Sequence, residues 1–142
     1  MKLADVIRSK GHDVVTISPD ATVAALVSLM SSNGIGAVVV STDGHHIDGI
    51  VSERDIVRGL AEQGAAVAEA TVRSLMTDDV VTGSPEDEIE ATAATMTARR
   101  VRHIPVTVAG ELDAIISIGD VVKFRIDQLT DERNHLLGYL HT

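Results

Sequence analysis

The chain has 142 residues, 44% of them hydrophobic and 1% aromatic, with no cysteine and a formal charge of −9 from 12 Lys and Arg against 21 Asp and Glu. That is one compact domain, or two very small ones packed together, with enough apolar material for a core. One Tyr and one Phe leave almost no stacking platform for bases, and the acidic balance repels phosphate backbones, which argues against a nucleic-acid surface; the lack of cysteine excludes disulfides, thiolate nucleophiles, iron–sulfur clusters and cysteine-type zinc sites.

In chain order, Leu3 to Arg8 reads as a lead-in helical turn and Asp13 to Ile17 as a short β-branched strand. Ser18-Pro19-Asp20 supplies the N-cap, N1 proline and early acid of a helix start, after which Val23, Leu26, Val27 and Met30 recur at helical spacing until Asn33-Gly34, a left-handed stop. Gly36 to Val40 is an apolar run of strand length, Thr42-Asp43-Gly44 is turn chemistry, Ile47 to Ser52 is the return strand of a hairpin, and Glu53 to Leu60 is helical again. Ala65 to Ala70, small and unpatterned, is a connector, and Val72 to Met76 is a second lead-in turn with Thr71 as its cap.

The pattern then begins again. Asp13-Val14-Val15-Thr16-Ile17-Ser18-Pro19 returns 66 positions later as Asp79-Val80-Val81-Thr82-Gly83-Ser84-Pro85, and the same spacing maps Met30 on Met96, Val40 on Val106 and Gly44 on Gly110. Past that turn the spacing shortens to 65, pairing Ile50 with Ile115, Ser52 with Ser117 and Asp55 with Asp120, so one residue has left a turn, where length changes are tolerated. Ser84-Pro85-Glu86 opens a helix through Ile89, Ala93 and Met96; His103 to Val108 is a strand, Ala109-Gly110 a turn, Leu112 to Ser117 the returning strand, and Gly119 to about Leu140 a long amphipathic helix. The expected class is α+β, two tandem β-α-β-β-α repeats of α/β type: residues 1–64 with the first lead-in turn, a connector at 65–71, and 72–142 with the extended helix. Copies of about 60 residues bury too little surface alone, so packing by pseudo-twofold symmetry is expected, with two equivalent clefts between them.

No catalytic set is present: there is no Gly-x-Ser-x-Gly elbow, no His-Glu-x-x-His and no phosphate loop, so the chain reads as a non-enzyme. Gly34-Ile35-Gly36 runs into a strand, whereas a dinucleotide fingerprint needs its glycines to open a helix. The repeated Ser-x-x-Asp, Ser52 with Asp55 and Ser117 with Asp120, sits where a strand meets a helix. As structure it is a helix cap with an acid facing the macrodipole; as a site, each carboxylate offers a two-oxygen fork to the two hydroxyls of a ribose. Arg99-Arg100-Val101-Arg102-His103 is a basic cluster in an acidic chain, readable as a solvated helix end or as phosphate capture, and Arg54 offers the same to the other cleft. His45 and His46 in a turn, and Asp131 with His135 on one helix face, stop short of the three ligands a metal site needs, and Glu86-Asp87-Glu88 is the acidic first turn of a helix. Val122, Ile126, Leu129, Leu136, Leu137 and Leu140 form a stripe that finishes the core or meets a second subunit. The first residues lack a signal-peptide stretch and no apolar run approaches the roughly 20 residues that span a bilayer, so a soluble cytoplasmic protein without membrane contact is expected.

Two tandem strand–helix–strand–strand–helix copies, with Asp-Val-Val-Thr-x-Ser-Pro at the start and Gly-Ile-Val-Ser-x-x-Asp before the last helix of the first copy, resemble a pair of CBS domains, the Bateman module. The likeness runs from about Leu3 to Arg125 and takes in Met76-Thr77 and Arg102-His103-Ile104-Pro105-Val106. It implies a stand-alone sensor of an adenosine-containing ligand, AMP first, with ADP, ATP, NAD or S-adenosylmethionine as the other choices, and no required cofactor. It implies ribose-binding residues at Ser52 and Asp55 and at Ser117 and Asp120, base-proximal residues at Val15 and Thr16 and at Val81 and Thr82, and a basic segment at Arg102 and His103 continuing through Ile104 and Pro105. The copies are unequal, since Ala114 replaces the usual Gly, Gly119 stands opposite Arg54, and Gly36-Ala37 stand opposite Arg102-His103. The resemblance also implies a homodimer, and a module of this kind with no ligand is a protein–protein interaction module, the alternative function, with a protein partner.

Overall fold

The β-branched runs pair as two small sheets. In the computed structural model, which describes residues 1–141, β1 (Thr16–Ile17) lies parallel to β2 (Ala37–Val40), and β2 is antiparallel to β3 (Gly49–Ser52). The second copy pairs β4 (His103–Val108) antiparallel with β5 (Glu111–Ser117). Its expected first strand is reduced to one parallel bridge, Gly83 to Val106, held by Gly83 N–H to Pro105 O at 2.9 Å and Thr107 N–H to Gly83 O at 3.0 Å. Glycine stands there where the first copy has Ile17, and glycine gives a strand no side chain to pack. The connection between the paired positions Val40 and Gly49 is one residue longer than that between Val106 and Ala114, which is where the repeat spacing shortens. Ala109 and Gly110 turn with φ of 53° and 80°, the mirror-image turn whose twist matches a tight hairpin.

Among the described residues six α-helices complete the two copies: α1 (Leu3–Lys10), α2 (Val23–Asn33), α3 (Glu53–Gln63), α4 (Val72–Leu75), α5 (Ile89–Arg99) and α6 (Ile118–Leu140). Gly34 ends α2 in the left-handed conformation, as its sequence predicts. The two Ser-Pro segments do not cap helices as expected. Ser18 closes a turn, accepting from Asp20 N–H on its hydroxyl at 3.2 Å and from Ala21 N–H on its carbonyl at 3.1 Å, and α2 is capped later by the Thr22 hydroxyl on Ala25 N–H at 3.1 Å. In the second copy Asp87 accepts Ser84 N–H at 2.8 Å and returns its own N–H to Ser84 O at 3.0 Å, so Glu88 holds the cap position. Serine side chains and short acids compete for nearby backbone groups in this way and delay helix entry. The connector is not slack either: residues 64–69 wind into a 3-10 turn that buries Val67. Thr71 stands at the N-cap of α4 but makes no side-chain cap bond.

There are two cores, and the lead-in helices are exchanged between them. α1, which precedes the first copy in sequence, puts Leu3, Val6 and Ile7 among Ile89, Met96, Ile104, Val106 and Ile116 of the second. α4, which precedes the second copy, puts Val72 among Leu26, Met30, Val38, Val40 and Val51 of the first. Backbone bonds hold the exchange: Leu3 N–H to Asp87 O and Val72 N–H to Ala21 O, at 2.9 and 2.8 Å. Each copy therefore completes its core with a helix that belongs to the other's stretch of chain.

Candidate functional site

β3 runs into α3 and β5 into α6 without a loop, so each Ser-x-x-Asp spans a strand end and the first helical turn. Asp55 Oδ2 accepts the Ser52 N–H at 2.8 Å and the Ser52 hydroxyl at 3.1 Å, while its Oδ1 stands 3.6 Å from Arg58. In the second copy Asp120 Oδ2 accepts the Ser117 N–H at 2.9 Å and Asp120 N–H donates to the Ser117 hydroxyl at 3.0 Å, a reciprocal cap. Both serines hold the N-cap position and both acids accept the cap N–H, while only the Ser117 hydroxyl accepts a helix N–H, and the motif presents each carboxylate at the mouth of a helix whose free N–H groups favour anions.

Between the copies lies a cleft of about 780 Å³ that draws its walls from both. The first copy supplies Ser52, Arg54, Asp55 and Arg58 with Gly36 and Ala37; the second supplies Thr77, Asp79, Val80 and Val81 with Arg100, Arg102 and His103. Four arginines thus line one hollow, together with Glu53, Asp55 and Asp79, in a chain of net charge −9. Arg geometry suits phosphate, and a carboxylate fork beside it suits a diol. Arg100 is held at φ 54°, ψ 41°, the left-handed conformation that Gly34 takes at the matching place in the first copy. That conformation costs a residue with a Cβ roughly 1–2 kcal/mol, and here the strained residue borders the cleft. Burial holds the His103 imidazole below its ordinary value, the Lys10 cation lowers it further, and Asp120 opposes both.

Six of the expected site residues line this cleft: Ser52, Arg54, Asp55, Val81, Arg102 and His103. Thr82 and Ile104 border a smaller hollow of about 290 Å³ instead, and Ile104 and Pro105 are buried, Ile104 within the second core. Val15 packs against the first core, next to Thr16 on β1. Ser117 and Asp120 stand at the equivalent second position, where the Lys10 ammonium reaches Asp120 at 2.5 Å. Burial pushes the Asp120 carboxyl up, but Lys10 and the Ser117 donors outweigh it and hold it below the ordinary carboxylate value. Sequence reading passed over Arg58, one helical turn beyond Asp55, and Asp79, which opens the repeated strand motif; both were visible as spacing from residues already singled out. His46 is bound to Asp43 at 2.6 Å within its turn, which raises the imidazole; the His46 N–H first, then this ring contact and the His45 N–H, hold the Asp43 carboxyl below its ordinary value. No helix among the described residues is long and apolar enough to cross a membrane.

Known proteins share this organisation. The CBS domain model matches residues 3–62 and again 72–127. The CBS domain-containing protein CBSX3, mitochondrial, of Arabidopsis thaliana is 32% identical over 146 residues, covering 97% of this chain and 71% of that protein. The crystal structure of the CBS-domain containing protein ATU1752 from Agrobacterium tumefaciens superposes with a TM-score of 0.85 at 41% identity, over 88% of this chain and 99% of that one. The CBS domain pair of protein MJ0100, solved in complex with 5′-methylthioadenosine and S-adenosyl-L-methionine, shares the fold with a TM-score of 0.78 at 16% identity, over 87% and 98% of the two chains. Two matches to one family in the register of the internal repeat, with the repeat's own α+β pairing, establish that the chain belongs to the CBS domain family as a tandem pair, a regulatory module.

Proposed function

We propose that the chain is a sensor that binds an adenosine nucleotide, AMP first, in the cleft between its copies and signals through the pairing of two such modules. One observation carries the reading: Ser52 and Asp55 of one copy line the same cleft as Arg100, Arg102 and His103 of the other. A diol acceptor and a phosphate-binding group then stand on opposite copies, so a nucleotide spanning them ties the copies together, and the state it ties is the one it favours. A monophosphate suits an acidic chain better than a triphosphate, because every added phosphate charge is repelled at long range by the net −9. ATP, ADP, NAD and S-adenosylmethionine share the adenosyl group and remain the competing ligands. The adenosyl ligands of the MJ0100 pair support the class.

The test is thermal unfolding with each of the five ligands, repeated with Asp55→Ala. A ligand that binds only the folded chain adds about 2.7 kcal/mol at a hundredfold excess over its Kd. For a domain of this length that raises the midpoint by roughly 5–10 °C. The expected result is a shift with AMP that Asp55→Ala abolishes; a midpoint indifferent to all five ligands leaves the chain a protein–protein interaction module.

A further inference from the structure

The repeat places the same Ser-x-x-Asp in two equivalent positions, and besides the replacements at Ala114 and Gly119 the surroundings differ at a further side chain. Beside Asp55, Ile50 exchanges backbone hydrogen bonds with Thr77, each 2.9 Å. Beside Asp120, the equivalent carbonyl, that of Ile115, accepts the Lys10 ammonium at 2.8 Å, and the same ammonium lies 2.5 Å from Asp120 Oδ2. One lysine therefore takes both the carbonyl at the strand and the carboxylate at the helix start. The fold fixes it there. α1 is anchored in the second core by Leu3, Val6 and Ile7, and Gly11 ends it by returning its N–H to Ile7 O at 2.7 Å, so Lys10 is carried on the last turn of a docked helix. The repeat spacing of 66 puts Met76 where Lys10 stands, and Met76 has no charge to offer Asp55; it lies against Gly49 instead, its sulfur 2.7 Å from where a Cβ on that glycine would be.

We infer that Lys10 is a latch that withholds Asp120 from a ribose, so that each chain takes one nucleotide, in the Asp55 cleft. This rests on the nucleotide reading given above. A diol needs both carboxylate oxygens as a fork, and Oδ2 of Asp120 already carries the Lys10 ammonium and the Ser117 N–H; to take the fork the diol, a neutral donor pair, must displace an ion pair as well as a hydrogen bond. Displacement also takes the ammonium from its counter-charge and leaves it the Ile115 carbonyl and solvent, with its side chain 33% exposed. Lys10 thus makes two sequence-alike sites chemically unlike.

Equilibrium dialysis of the full chain against AMP tests the latch. The expected result is one AMP per chain for the wild type and for Lys10→Arg, two for Lys10→Met, which installs the residue of the first cleft, and two for Lys10→Gln. The double variant Lys10→Gln with Asp120→Asn returns to one. Two AMP on the wild type, or a wild type that binds one AMP while Lys10→Met and Lys10→Gln each bind one or none, overturns the latch; the second result makes Lys10 a bystander or a ligand contact. AMP bound by no variant and not by the wild type sinks the nucleotide reading itself. The latch then still answers to carboxyl NMR of the ligand-free chain, in which the titration midpoint of Asp120 rises on Lys10→Gln, and an unmoved midpoint overturns it.

Discussion

Arg100 is the residue where stability and binding pull apart. It adopts the left-handed conformation that Gly34 takes without strain, and it does so on the rim of the cleft. Replacing it with glycine removes the Cβ clash and the guanidinium together. Arg100→Gly is expected to raise the unfolding midpoint by about 2–4 °C, which corresponds to about 1 kcal/mol of relieved strain in a domain this size. The same variant is expected to weaken AMP about tenfold, the loss of one charge-assisted contact of about 1.4 kcal/mol. Calorimetry and titration on one preparation check both, and a fall in midpoint would show that the arginine is held by contacts worth more than its strain. The basic cluster was legible as a run of charges; that one member of it sits at a strained cap emerges only by laying Arg100 on Gly34.

At the scale of elements, the exchange of lead-in helices decides what depends on what. Leu3 is fully buried although it is the third residue of the chain, and its neighbours in the core lie more than 80 positions away, at Ile89, Met96 and Ile104. Leu3→Ala is expected to cost about 3 kcal/mol, as core truncations that leave a cavity do, and to lower the midpoint by roughly 10 °C by circular dichroism. A change under about 0.5 kcal/mol, the size of a surface substitution, would mean that α1 frays from the second copy in solution. The apolar positions of α1 were readable in sequence, and so was the likeness of the two lead-in turns. Which copy each serves was not, because hydrophobic periodicity names the face that is buried and says nothing of the surface it meets.

For the whole molecule, the apolar residues that no core absorbs are the informative ones. On α3, Val57 is 65% exposed, and on α6 Ile126 is 56% exposed, with Leu60, Val122 and Leu129 about half exposed. Large apolar side chains left exposed on two helices mark a candidate association site. A second copy is its expected occupant, with the 15.0 kDa chain sedimenting at twice that mass. Ile126→Asp is expected to shift sedimentation to the monomer while leaving the circular dichroism spectrum unchanged, since a charge there is solvated in the single chain and buried in the pair. A wild type that sediments as a monomer at micromolar concentration, or a variant that still pairs, refutes the role of this surface.

The repeat, its 66-residue spacing and the strand-to-helix position of Ser52 and Asp55 and of Ser117 and Asp120 are local patterns, and the amino-acid order alone determined them, because strand alternation, helical periodicity and cap chemistry act over a few residues. The Ser-Pro segments were misread as caps from the same local rules, since a turn and a helix start use the same residues and the choice falls to the backbone that Thr22 and Glu88 meet. Only the tertiary structure decided that Asp55 faces the arginines of the other copy, that α1 serves the second core, and that Lys10 rather than a residue like Met76 stands at Asp120. Those facts depend on which distant surfaces meet, and two copies that share the same motifs diverge there because one long side chain, carried in by an exchanged helix, reaches a carboxylate more than 100 positions away.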